Sequence, residues 1–111
     1  MPLANIFLPY PGEEGWQTFW FNNWQDHWAI QEAILKQKSV NQFLYVINPW
    51  DDGDANGILQ RHQQFHNDMN LELGINGSDL SQLDLKNPQS VRAWCWLHFY
   101  EHNAAHQILG I

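Results

Sequence analysis

Arg61-His62-Gln63-Gln64-Phe65-His66-Asn67 and Leu97-His98-Phe99-Tyr100-Glu101-His102-Asn103 match one another in both histidines and in the final asparagine. The same 36-residue offset lays Leu73-Gly74-Ile75 over Leu109-Gly110-Ile111. Histidines four residues apart stand on one helix face, about one turn from each other. The glycines fall where helices commonly stop, because glycine enters the left-handed region without steric cost. Two copies of one helical unit, over residues 59–75 and 95–111, are therefore expected, each carrying a two-imidazole patch.

Working outward from these units, a turn of about 100° per residue gathers Trp94, His98, His102, Ala105 and Leu109 into one arc of the third helix. The second helix gives the matching arc of Ile58, His62, His66, Met69 and Leu73. Both arcs set the histidines among apolar neighbours, which predicts that they face inward. Trp96 and Tyr100 fall on the opposite side of the third helix. A subunit or partner contact would cover them, and so would the chain's own connector or N-terminal arm.

Asn87-Pro88 is a strong start signal, a capping side chain followed by proline at the first helical position. The third helix is expected from there to about Leu109, the second from about Asp54 to Leu73, and the first from about Glu13 to Lys38. Glu13 and Glu14 would then complement the dipole of the first turn, and Lys36 and Lys38 that of the last. Trp16, Trp20, Trp24 and Trp28 recur every four residues and form a broad aromatic face that Ile30, Ile34 and Leu35 continue, with His27 on the same stripe. Residues 39–53 read as a connector in which 43–47 is an extended piece or a helical turn, and Ser78-Asp79 as the cap of a single turn through Leu83. In residues 1–12, Pro2, Pro9 and Pro11 exclude a helix, while Leu3, Ile6, Phe7, Leu8 and Tyr10 are too apolar for a solvated tail. The chain is thus expected to be all-α: a small three-helix bundle over 13–111 with an extended N-terminal arm over 1–12, helices 2 and 3 forming an antiparallel, repeat-like pair.

A chain of 111 residues makes one domain with a modest core. Five basic residues against twelve acidic ones give a net charge of −7, and the basic residues (Lys36, Lys38, Arg61, Lys86, Arg92) are scattered. That balance speaks against direct nucleic-acid binding and against an anionic membrane surface. The single cysteine, Cys95, excludes an internal disulfide and fits a reducing compartment. Its neighbours Trp94 and Trp96 suggest a packed, inert thiol. No signal peptide is expected from the first residues, and the longest apolar run, 43–47, is far too short to span a bilayer.

His62, His66, His98 and His102 could offer four imidazoles to one ion, with Asp26, Asp68, Glu72 and Glu101 as carboxylate ligands or outer partners. The alternative needs no cofactor: a buried polar layer in which these rings, His27, Asn67 and Asn103 satisfy one another and fix helix register. The ligand arrangement of hemerythrin-type proteins over four helices is not matched, and the Glu-x-x-His pair of carboxylate-bridged di-iron bundles is not present. The zinc-protease signature fails because Gln63 follows His62 where a glutamate is required. No nucleophile signature surrounds the serines and no glycine-rich phosphate loop exists. The expectation is a protein that is not an enzyme and holds no cofactor; a bundle with histidine-ligated Zn or Fe, and redox or hydrolytic activity, is the alternative.

His62-Gln63-Gln64-Phe65-His66-Asn67-Asp68-Met69-Asn70, then Leu73-Gly74, Gly77-Ser78-Asp79-Leu80, Trp94, His98, Glu101-His102 and Ala105, give residues 16–111 a look that resembles small proteins of the structural modules of tailed bacteriophages. The resemblance implies a virion component of the neck, tail or baseplate, assembled in the host cytoplasm and working through other virion proteins and copies of itself. It assigns no residue a role. From the residues themselves, the interface is expected at Ile6, Phe7 and Leu8 of the arm and at Trp96 and Tyr100 of the third helix.

Overall fold

The structure, a computed structural model, describes residues 8–9, 12–38, 55–76 and 83–111. Three helices account for most of them: α1 (Gly15–Lys38), α2 (Ala55–Leu73) and α3 (Pro88–Leu109). The all-α expectation holds; the connector expected over 39–53 and the capped turn expected to start at Ser78-Asp79 lie outside the described residues, apart from Leu83.

The boundaries follow from local chemistry. Asn87 caps α3 from an extended conformation, its side-chain oxygen accepting from the Gln89 N–H at 3.0 Å, with Pro88 in the first turn. Gly110 closes α3 in the left-handed region at φ 72°, and its N–H donates to the His106 carbonyl. Gly74 ends α2 in the same way at φ 68°. α1 begins two residues later than expected, so Glu13 and Glu14 precede it rather than occupying its first turn.

The direction of the helices corrects the sequence-based picture. Ile58 shares an apolar cluster with Trp94, His62 meets His98, His66 meets His102, and Met69 and Leu73 share a second cluster with Ala105 and Leu109. Residue numbers rise together along both helices, so α2 and α3 run parallel, not antiparallel. α1 keeps the same sense: Trp20 packs on Trp94, Asn23 reaches His98, Asp26 reaches His102, and Gln37 donates to the Leu109 carbonyl. Length permits this. Residues 74–87 can span up to about 46 Å at ~3.3 Å each, more than the ~33 Å needed to retrace a helix of this size.

The core is layered along the bundle. One apolar cluster joins Leu8, Phe19, Trp20, Ile58, Trp94 and Cys95; the other joins Ile30, Ala33, Ile34, Phe65, Met69, Leu73, Ala105 and Leu109. Between them lies a buried polar layer. On α1 the buried positions are Phe19, Trp20, Asn23, Asp26, His27, Ile30, Ala33 and Ile34, a narrow stripe repeating every three to four residues. The tryptophan row advances by a full four residues and so drifts off this stripe. Trp20 is wholly buried, Trp16 and Trp24 are half-buried, and Trp28 is 51% exposed. Leu35, expected to continue the face, is exposed as well.

Candidate metal centre

Each helix delivers its part of the polar layer by simple periodicity: Asn23, Asp26 and His27 from α1, His62 and His66 from α2, and His98, Glu101, His102 and His106 from α3. All are buried. One ring nitrogen from each of His27, His62, His66, His98 and His102 lies within 4.8 Å of those of the other four. The four histidines singled out from the sequence are therefore brought together, and His27 joins them.

The Nε2 atoms converge. His27 Nε2 stands 3.2 Å from His66 Nε2 and 3.0 Å from His102 Nε2, and His62 Nε2 stands 3.0 Å from His98 Nε2. Asn23 Oδ1 is 2.9 Å from His98 Nε2. The Nδ1 atoms of two of these rings turn outward to carboxylates. His66 Nδ1 donates to Glu101 Oε1 at 3.0 Å, an oxygen that also accepts from Asn70 Nδ2 at 2.7 Å. His102 Nδ1 donates to Asp26 Oδ2, and His106 Nε2 donates to Asp26 Oδ1 at 2.6 Å. A carboxylate on one ring nitrogen fixes the tautomer and leaves the lone pair of the other pointing inward, the usual outer support of a metal-bound histidine.

Electrostatics keep the lone pairs available. Burial, reinforced by the neighbouring imidazoles, holds His27, His62 and His98 well below the ordinary 6.5. Burial also lowers His102, and its hydrogen bond to Asp26 offsets this only in part, leaving it at about 4. For Asp26, burial opposes the charge, but hydrogen bonds and positive charge from His102 and His106 outweigh it, so its carboxyl titrates below the usual 3.8. At neutral pH His27, His62, His98 and His102 are uncharged bases and Asp26 is an anion.

Hydrogen bonding alone does not complete the layer. With protons on Nδ1 of His66 and His102, their Nε2 atoms are both acceptors, and the one proton available to His27 Nε2 can point at only one of them. Should that proton sit there, His27 Nδ1 becomes an acceptor, and it is buried without a hydrogen-bond partner; Asn23 Nδ2 is in the same position. Such orphans cost about 1–3 kcal/mol each.

Other sequence-based candidates fall elsewhere. Asp68 is half-buried and accepts from Gln64 on the outer face of α2, Glu72 is exposed, and Asn67 is exposed and accepts from Gln63. The amides that reach the layer are instead those of Asn23 and Asn70. His106 was also missed, although it follows His102 at the same four-residue spacing. At the expected interface, Trp96 and Tyr100 are 56% and 54% exposed. Leu8 is corrected: it is 3% exposed and packs inside the chain's own core with Phe19 and Trp20, because an apolar residue beside the open end of the bundle gains most by closing it. Ile6 and Phe7 lie outside the described residues. Cys95 is buried, and burial pushes its thiol up to about 11 despite a hydrogen bond with the Leu8 backbone, which makes it inert.

No protein-family model, curated protein or solved structure matches this chain. Among the described residues, no helix is long and apolar enough to cross a membrane.

Proposed function

We propose that the protein is a metal-binding helical bundle that holds a divalent transition metal ion in its buried histidine layer. The observation that supports this most directly is His27 Nε2 facing two other Nε2 atoms at once, each on a ring whose Nδ1 is held by a carboxylate. Neutral imidazole suits iron, nickel, copper and zinc, and Asp26 and Glu101 bring negative charge to the outer side of the ligands. An ion at this point replaces an incomplete set of hydrogen bonds by ligand bonds and ties all three helices together. The test is elemental analysis of the chain purified without an affinity tag. A stoichiometric transition metal, lost together with thermal stability in the His66→Ala and His102→Ala chains, supports the proposal; metal-free protein that ignores added ions contradicts it.

A second reading, compatible with the first, draws on the exposed rings. Trp96 and Tyr100 project from the outer face of α3, and burying such a side chain contributes roughly 1.5–3 kcal/mol. They suit an assembly protein that packs against itself or a neighbour, in line with the resemblance to virion proteins of tailed phages. In sedimentation experiments the wild-type chain is then expected to self-associate, and the Trp96→Ser/Tyr100→Ser chain to stay monomeric with its helices intact. A wild type that remains monomeric at high concentration and is absent from purified particles removes the support for this reading.

A further inference from the structure

The separations within the histidine layer carry information about the number of ions and the kind of coordination. With metal–nitrogen bonds of about 2.1 Å, neighbouring donors of an octahedron stand about 3.0 Å apart and opposite ones about 4.2 Å, whereas tetrahedral donors stand about 3.4 Å apart. The four close approaches here, at 3.2, 3.0, 3.0 and 2.9 Å, the last between His98 Nε2 and Asn23 Oδ1, are hydrogen-bond contacts within the layer that already hold these donors at near-octahedral spacing. All five ring nitrogens lie within 4.8 Å of one another, little more than the width of a single octahedral sphere. Two ions about 3.5–4 Å apart would spread their terminal ligands well beyond this. The carboxylates that could bridge two ions are turned away, with Asp26 on His102 Nδ1 and Glu101 on His66 Nδ1.

Building on the metal-binding reading, we propose that the layer takes one ion only, with the five imidazoles and Asn23 Oδ1 as six donors, and leaves it no position for water or substrate. Asn23 is fully buried and already directs its oxygen at His98, and its Nδ2 has no hydrogen-bond partner, so the amide is free to turn its oxygen onto an ion. Apolar clusters close the layer at both ends. A saturated, water-excluded sphere makes the ion a strut for the bundle rather than a Lewis acid for chemistry. It also separates among metals: structural zinc is almost always four-coordinate, so six nitrogen and oxygen donors favour iron(II), cobalt(II) or nickel(II).

The metal-free chain titrated with cobalt(II) alone tests this. One equivalent is expected to bind, with the weak visible bands of six-coordinate cobalt(II), unmoved by added azide. Asn23→Ala opens one position, and azide should then shift the bands. Two equivalents, intense tetrahedral bands, or an azide shift in the wild type would overturn the closed single-ion site while leaving metal binding in place. Azide-insensitive bands in the Asn23→Ala chain would overturn the role of Asn23. No uptake of cobalt(II) would overturn this inference and the metal-binding reading together.

Discussion

His62 and His98, equivalent residues of a sequence repeat and 36 positions apart, meet Nε2 to Nε2 at 3.0 Å. A repeat whose equivalent residues meet in order, His62 with His98, His66 with His102 and Leu73 in one cluster with Leu109, has been laid side by side in the same direction, and these contacts together set the parallel course of α2 and α3 and pool their histidines into one layer. Direction is open to measurement with spin labels on Gln60→Cys and Trp96→Cys, compared with Gln60→Cys and Gln107→Cys. In the parallel bundle residues 60 and 96 are level, while residue 107 lies about 16 Å farther along the axis, so the first pair gives the shorter distance. Reversed order would mean an antiparallel pair. The native Cys95, buried and with its thiol at about 11, stays unlabelled.

Acid should unfold the metal-free chain early. The folded-state pKa values of His27, His62, His98 and His102 lie below 6.5, so below pH 6.5 the unfolded chain binds protons that the folded chain refuses. Stability then falls with pH by up to about 1.4 kcal/mol per unit for each ring. For His102 the window runs from 6.5 down to about 4, or about 3 kcal/mol in all. Asp26 acts lower down in the same sense: its contribution is present above 3.8 and is lost as pH falls through its depressed folded-state pKa. Urea midpoints of the metal-free chain are expected to change little above pH 7 and to drop steeply between pH 6 and 5. A flat profile across that range would mean the rings are accessible to protons in the fold.

Glu101→Gln should weaken metal binding about 10–100-fold without loss of helical content, since Glu101 Oε1 holds His66 Nδ1 and outer partners of histidine ligands carry effects of that size. Competition with a coloured chelator reads the affinity. Asn70→Ala, which removes a supporting donor to the same oxygen, is expected to cost less. Equal affinity in wild type and the Glu101→Gln chain would separate the carboxylate from the site.

Two tryptophans of one row should differ sharply. Trp20 is wholly buried and packs against Trp94 and His62, whereas Trp28 is half exposed. Trp20→Ala is expected to cost about 3–5 kcal/mol, and Trp28→Ser no more than about 0.5 kcal/mol, in denaturant unfolding. Comparable costs would mean that Trp28 is covered in solution, as an assembly contact would make it.

Much of this arrangement can be read from residue spacing, because what decides it is local. The i, i+4 histidines of α2 and α3, the Asn87-Pro88 start and the Gly74 and Gly110 stops each follow from a few neighbouring residues. His27 sits on α1 with no histidine four residues away, so nothing local marks it as a fifth donor. Asn23 and Asn70 look like any helical amide until the facing helices bring them to His98 and Glu101. Periodicity also says which face of a helix is apolar but not which way the helix points, and the loops here are long enough for either sense. The choice of Asp26 and Glu101 over Asp68 and Glu72 likewise depends on which carboxylates face the neighbouring helix.

Anomalous diffraction from crystals of the untagged protein, collected at the edge of the metal found by elemental analysis, tests the central claim most directly. One peak is expected between α1, α2 and α3, about 2.1 Å from the inward nitrogens of His27, His62, His66, His98 and His102. Crystals grown with the metal present that show no peak there, with the imidazoles still hydrogen-bonded to one another, would contradict it.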